Sequence, residues 1–247
     1  MTRTESGGYH LEIPAGRTGT YRLAQLDNYS KLHRTNFPYW PDLKFRLRAR
    51  ASSAAIPGTW GFGFWNDPFS TSFVLGSKIF QWPVLPNAAW YFFASPQNYL
   101  SLMDDLPAEG ALAATFQAKQ ISSLVFLPAA LVSPFLLLPP IARLMRRIGR
   151  LVVTQGAYRL THDPTEWHDY SLEWRRTGVA FEVDGKRLFE TCVSPNPPMG
   201  LVIWVDNQYA ATPPDGRFRY GRLANQQPAW IEVEQIKITE LQEGLST

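Results

Sequence analysis

Residues 43–50, LKFRLRAR, alternate along their whole length. Leu43, Phe45, Leu47 and Ala49 share one side, and Lys44, Arg46, Arg48 and Arg50 share the other. A period of two predicts an antiparallel strand with one buried face. In residues 59–65, TWGFGFW, Gly61 and Gly63 share one face and Trp60, Phe62 and Phe64 the other; Asn66-Asp67-Pro68 ends the run. Small residues on one face of a strand let a ligand or another backbone come close. Ala88–Ala94, AAWYFFA, reads as a short buried strand, and residues 111–117 as another. His168 to Trp174 alternates again, and Val179–Val183 and Arg187–Thr191 flank Asp184-Gly185, a strong hairpin-turn signal. Leu201–Val205 reads as a buried strand, Pro213-Pro214-Asp215-Gly216 as a turn, and Trp230–Ile238 as a long final strand. Residues 1–40 read as short strands and loops, and no internal repeat is visible.

The pattern changes between residues 118 and 153. Gln120–Ala142 contains no charged residue and is dominated by Leu, Val and Phe, with Phe126, Phe135 and Leu137 among its largest side chains. Its length would permit a membrane span. Pro128, Pro134, Pro139 and Pro140 interrupt it, each removing a backbone donor, which argues against a spanning helix. Pro140–Val153 reads as a helix with Ile141, Leu144, Met145, Ile148 and Leu151 on one face and Arg143, Arg146, Arg147 and Arg150 on the other. The expected arrangement is an apolar face against the body and a solvated arginine face. A basic amphipathic helix beside an apolar stretch also matches an interfacial membrane element or lid. Residues 118–153 are therefore read as an apolar and basic insertion within a single domain spanning residues 1–247.

Composition narrows the classes. Of 247 residues, 45% are hydrophobic and 18% charged, which is enough apolar material for one large core and excludes global disorder. Aromatics reach 14%, with nine Trp and twenty Pro, favouring a loop-rich all-β protein over helical bundles. The single Cys192 excludes an intramolecular disulfide framework and a cysteine-cluster zinc site. A net charge of +3 gives no bulk field for nucleic acid, so none is expected as a partner. The N-terminal MTRTESGGYHLEIPAG has no apolar run of a secretory signal, so the expected location is cytoplasmic, with the insertion allowing a peripheral membrane contact.

The order of these strands resembles a known family. HDYSLEW at 168–174 followed by VAFEVDGKRLFE at 179–190 resembles the late hairpin of glycoside hydrolase family 16. GLVIWVDN at 200–207 and WIEVEQIKI at 230–238 look like its closing strands, and residues 43–50 with GTWGFGFWNDP at 58–68 resemble its opening ones. The resemblance covers residues 40–117 and 165–240 and is most specific in the C-terminal third. It implies a concanavalin A-like β-jelly roll, two packed antiparallel sheets with a concave ligand face. It also implies catalytic carboxylates in a Glu-x-Asp-x-Glu or Glu-x-Asp-x-x-Glu pattern on one strand, placed on one face by the period of two. The matching stretch here, AAWYFFA, has none, so the family's retaining mechanism cannot run as usual. The resemblance further implies a structural calcium near the termini, for which Glu234 is the nearest candidate by position; no other cofactor is expected.

Other carboxylates offer weaker substitutes. Asp104 and Asp105 are adjacent and converge only in a loop; they are the candidate acids if the scaffold still hydrolyses. Glu232 and Glu234 have strand spacing but lie on a strand the resemblance marks as structural. His162 and His168 flank Asp163 and Glu166 without a diagnostic metal spacing. The aromatic concentration between residues 60 and 99 is the larger signal. Trp60, Phe62, Phe64, Trp65, Trp90, Phe92 and Tyr99 are the candidate ligand-binding rings, with Trp204, Asp206 and Asn207 as bordering groups. Such a cleft suits an apolar or amphipathic small molecule, or a glycan. The expected function is ligand binding on a glucanase-like scaffold. The alternatives are an enzyme of altered mechanism on the same scaffold and a peripheral membrane or interaction protein, with the insertion also able to pair copies of the chain.

Overall fold

The computed structural model describes residues 1–5, 7–68, 79, 81–120 and 138–241. Its strands are β1 (Thr2–Arg3), β2 (Tyr9–Ile13), β3 (Leu23–Asp27), β4 (Leu43–Ala51), β5 (Thr59–Trp65), β6 (Ala88–Ala94), β7 (Gly110–Ala118) and β8 (Val153–Leu160). They continue with β9 (His168–Arg175), β10 (Gly178–Val183), β11 (Lys186–Thr191), β12 (Gly200–Asp206), β13 (Gln208–Ala211), β14 (Arg219–Arg222) and β15 (Ala229–Glu240). One helix of fourteen residues, α1 (Pro139–Val152), stands between β7 and β8.

The strands form two sheets, ordered β1-β2-β15-β4-β9-β10-β11 and β3-β12-β5-β6-β7-β8, with β13 and β14 as a separate hairpin. Neighbours in both sheets run antiparallel. This is the all-β jelly-roll sandwich that the resemblance implies. The period of two decides what lies between the sheets. From β4 come Leu43, Phe45, Leu47 and Ala49; from β5, Trp60, Phe62 and Phe64; from β6, Ala89, Tyr91 and Phe93; from β12, Leu201, Ile203 and Val205. Trp60 and Phe93 stack with centroids 3.6 Å apart, and Phe62 meets Tyr170 of β9 edge to face at 4.9 Å. Tyr91 carries a hydroxyl into this core, and its O–H reaches the carbonyls of Ser171 and Glu182 at 2.7 and 2.8 Å.

The basic row of β4 is a paired sheet face. Lys44 meets Glu173 at 2.8 Å and Glu182 at 3.4 Å, Arg48 meets Glu234 at 3.1 Å, and Arg50 meets Glu232 at 2.8 Å. The turn at Asp184-Gly185 has positive φ at both residues (52° and 75°), as a two-residue hairpin turn requires.

The end of β7 and the start of β8 lie side by side, since Ala118 pairs with Val153. Phe126, Phe135 and Leu137 lie outside the described residues. The helix is present, but it turns the Arg146 edge of its basic face to the body, leaving Arg143 and Arg147 exposed and Ile141 and Met145 half-buried. Arg146 is its buried side chain, whereas Leu138, Leu144, Ile148 and Leu151 are exposed. The cause is a cluster of carbonyls on the body. Arg146 Nη1 donates to Ser101 O at 2.7 Å and Thr212 O at 2.8 Å, and Arg150 Nε donates to Leu102 O at 2.8 Å. Fixed acceptors on the body select a guanidinium over a leucine. Among the described residues, no helix is long and apolar enough to cross a membrane.

Candidate functional site

The alternation that fills the core also builds the outer face of the six-stranded sheet. There β5 presents Thr59, Gly61, Gly63 and Trp65; β6 presents Trp90 and Phe92; β12 presents Val202, Trp204 and Asp206. A cavity of about 460 Å³ lies over this face. Trp65, Trp90, Phe92, Val202 and Trp204 form its aromatic and aliphatic floor, with Thr59 and Asp206 at one end. Tyr21, Leu23 and Gln25 wall one side, Asn98 and Leu100 another, and Tyr209, Tyr220 and Arg222 of the β13–β14 hairpin complete it.

The floor is one connected ring system. Trp90 lies 5.5 Å from Trp204, 5.6 Å from Phe92 and 6.0 Å from Trp65. The glycines of β5 make room for it. A Cβ at Gly61 would sit 2.7 Å from the Trp204 ring, and one at Gly63 would sit 2.7 Å from the Trp90 Cβ. The close approach inferred for this glycine face is therefore made by the backbone of β6, through Tyr91 O and Ala89 O, together with the Trp204 indole over Gly61.

Asp206 is the carboxylate of this cavity among the described residues. It is 7% exposed. Its two oxygens differ. Oδ1 accepts from the Thr59 hydroxyl at 2.9 Å, the Thr59 N–H at 3.2 Å and the Gln208 N–H at 3.1 Å. Thr59 Oγ1 in turn accepts from the Trp204 indole at 3.0 Å. Oδ2 has a single longer contact, from the Tyr21 hydroxyl at 3.4 Å. Burial raises the carboxyl from the usual 3.8 to about 6, against the lowering effect of these hydrogen bonds. With Oδ1 saturated, the proton of the neutral acid sits on Oδ2. Burial, with Asp206 adding to it, likewise raises the Tyr21 phenol. The arrangement is an apolar chamber with one hydrogen-bonding acid at its end.

Several residues expected at a ligand lie elsewhere. Trp60, Phe62 and Phe64 are 0–2% exposed between the sheets, because they occupy the other phase of β5 from Trp65. Asn207 is fully buried and structural: it accepts from the Arg22 N–H at 2.9 Å and donates to Thr20 O and Leu223 O. Tyr99 packs under α1, with Arg146 over its ring at 5.3 Å and its hydroxyl on Asp104 O. Asp104 and Asp105 are exposed and outside the cavity lining. Arg150 and Arg146 both ion-pair with Asp104, and their hydrogen bonds hold its carboxyl down at about 2. Such a group cannot hold a proton for general-acid work near neutrality. Glu234, the proposed calcium ligand, is paired with Arg48. No group of three or more potential metal-ligating side chains gathers among the described residues. His162 instead meets the Tyr170 hydroxyl at 2.7 Å and His168 meets Asp184 at 2.6 Å; burial lowers His162 to about 4.

The sequence reading missed Tyr21, Leu23, Gln25, Thr59, Asn98, Leu100, Val202, Gln208, Ala210, Tyr220 and Arg222. Of these only Thr59 and Val202 had a signal, since each shares a strand phase with a residue that was chosen. A second depression, about 250 Å³ in volume, borders β10 and β11. Its charged lining is already used: Glu173 pairs with Lys44 and Arg175, and Arg187 with Glu182 and Glu190.

No family model matches the chain, and no curated protein matches it. Comparison with solved structures finds the following likenesses, all of low sequence identity. A Bacteroides ovatus family 16 endo-glucanase is 11% identical, with 97% of this chain and 84% of that one covered and a TM-score of 0.48. The catalytic domain of an endo-1,3-β-glucanase (laminarinase) from Thermotoga petrophila is 10% identical, with 95% and 78% covered and a TM-score of 0.42. An endo-β-galactosidase from Clostridium perfringens is 14% identical, with 94% and 53% covered and a TM-score of 0.46.

Proposed function

We propose that this protein binds an apolar or amphipathic small molecule in the cavity over the outer face of the six-stranded sheet. The observation that carries the reading is the composition of the outer face of β6, where Trp90 and Phe92 occupy the cavity floor. The retaining mechanism needs two carboxylates flanking a bond. Here Asp206 is the single carboxylate of the cavity lining among the described residues, and rings occupy the central strand. Rings at Trp65, Trp90, Phe92 and Trp204 favour hydrocarbon, and the volume falls in the range of roughly 300–1,000 Å³ usual for small-molecule sites. Below about pH 6 neutral Asp206 can donate from Oδ2 to a hydroxyl or carbonyl of the ligand, and above it the carboxylate accepts from a ligand hydroxyl. A glycan is the second reading, favoured by the three indole faces, which also suit sugar rings.

The test is a titration of tryptophan emission with two probes. Retinol is an isoprenoid alcohol that accepts energy from nearby indoles, and cellotetraose is the glycan probe. Saturable quenching by retinol, weakened at least about tenfold in Trp90→Ala, is expected. Binding of cellotetraose with no response to retinol would reverse the assignment.

A further inference from the structure

The exposed side of α1 is the surface that the cavity does not explain. Leu144, Ile148 and Leu151 are 55%, 39% and 69% exposed. At 100° per residue they fall within an arc of about 60°. They are not failed core residues, because the opposite side of the helix is already fixed through Arg146 and Arg150 to the carbonyls of residues 101, 102 and 212. Docking Arg146 and Arg150 on the body turns Leu144, Ile148 and Leu151 outward.

The charge around this arc is predominantly basic, with Asp104 and Asp215 as the neighbouring carboxylates. α1 contains four Arg and no acidic residue. Arg146 and Arg150 share Asp104, while Arg143 and Arg147 are exposed, with no carboxylate in ion-pair range among the described residues. Gly216 abuts the first turn, its absent Cβ position lying 2.3 Å from Pro139 O, which brings the following loop against the helix. That loop carries Arg217, which pairs with Asp215, and leads to the exposed Arg219 at the start of β14. An exposed aliphatic arc with an arginine rim matches a surface that is apolar below and anionic above. A protein partner of fixed shape would be expected to offer carboxylates at set positions; a headgroup layer offers them anywhere along the rim.

We propose that α1 docks this protein on an anionic lipid bilayer, with Leu144, Ile148 and Leu151 entering the interface and Arg143 and Arg147 meeting headgroups. The proposal goes beyond the cavity reading and stands without it. The two are neighbours in space: the segment clamped by Arg146 and Arg150 adjoins Leu100, which lines the cavity and is 39% exposed. Docking in this pose brings the cavity wall formed by Leu100 toward the lipid.

Flotation with phosphatidylcholine vesicles, with and without about one-third phosphatidylserine, tests the proposal. The wild-type chain is compared with L144E/I148E/L151E and with R143E/R147E. All five positions are exposed, so both variants should keep the wild-type far-UV spectrum and melting curve. The expected result is flotation with the serine-lipid vesicles only, falling at least about tenfold in either variant and with added salt. Absence of wild-type flotation at low salt overturns the proposal, as does unchanged flotation of the triple variant. A wild-type dimer that the triple variant converts to monomer, with vesicle binding unaffected, would give the face to a second copy of the chain and also overturn it. Retinol binding by both variants separates this outcome from failure of the cavity reading.

Discussion

Asp206→Asn tests the central electrostatic claim, because the structure fixes both the sign and the size of the effect. Burial raises the Asp206 carboxyl to about 6 in the folded chain, against 3.8 for an ordinary aspartate. Between those two values the folded state holds a proton that the unfolded state has released. The neutral acid therefore contributes stability that is fully present below pH 3.8 and is lost as pH rises to about 6. At 1.36 kcal/mol for each pH unit between the two values, the loss is about 3 kcal/mol. Asparagine removes the titration while keeping the geometry. Its Oδ1 still accepts from Thr59 and Gln208, and its amide takes the place of Oδ2 beside Tyr21. Urea unfolding of both proteins from pH 4 to 8 gives the difference curve. The variant should match the wild type within about 1 kcal/mol near pH 4 and exceed it by about 2–3 kcal/mol at pH 8. A flat difference across that range would refute the reasoning. A variant losing stability specifically above pH 6 would mean that the carboxylate is the stabilised form and that the site holds an anion, not a hydrogen-bond donor.

Three further outcomes follow from the packing. Gly61→Ala places a Cβ 2.3 Å from Tyr91 O and 2.7 Å from Trp204; it should cost about 1–3 kcal/mol in urea unfolding and weaken retinol binding, since the indole must shift into the cavity. Arg146→Ala strips the buried donor from Ser101 O and Thr212 O; amide exchange should rise across residues 139–152 and leave β5, β6 and β12 protected, with a loss of about 2–4 kcal/mol for two unsatisfied carbonyls. Chelation by EDTA should leave the melting temperature within about 1 °C, because Arg48 already neutralises Glu234; a fall larger than about 4 °C would restore the calcium ligand.

The strands were legible because alternation and turn chemistry are local. LKFRLRAR fixes which side of β4 is buried, and Asp-Gly fixes the hairpin between β10 and β11. The cavity was legible only in part. In TWGFGFW every residue is apolar or small, so periodicity separates two faces without saying which one meets the other sheet. The choice is made by partners far away in sequence. Trp204, 143 positions after Gly61, needs the space that a glycine leaves, so the glycine face becomes the cavity face and Trp60, Phe62 and Phe64 become core. Tyr220 and Arg222 reach the cavity through a hairpin whose strands are four residues each, too short to carry a pattern.

The helix shows the converse limit. Its amphipathic period was read correctly, and the side it buries was not, because a hydrophobic pattern records only which residues lie together. What decides the docking is the acceptor set on the body. The carbonyls of Ser101, Leu102 and Thr212 project from irregular segments with no strand partner at hand, and two guanidinium groups satisfy them together with Asp104. Leaving those carbonyls buried against leucines would cost about 1–3 kcal/mol each, comparable to what burying one leucine returns. The balance therefore favours the Arg146 edge inward and an aliphatic arc outward. That arc lies near the aromatic cavity, and both features depend on the same segment, residues 98–104, which supplies Leu100 to the cavity and three carbonyls and one carboxylate to the arginines. Detaching the helix by Arg146→Ala should consequently loosen the Leu100 wall and lower retinol affinity, while L144E/I148E/L151E, which leaves the clamp intact, should not. Equal effects of the two variants on retinol binding would show that the segment does not couple them.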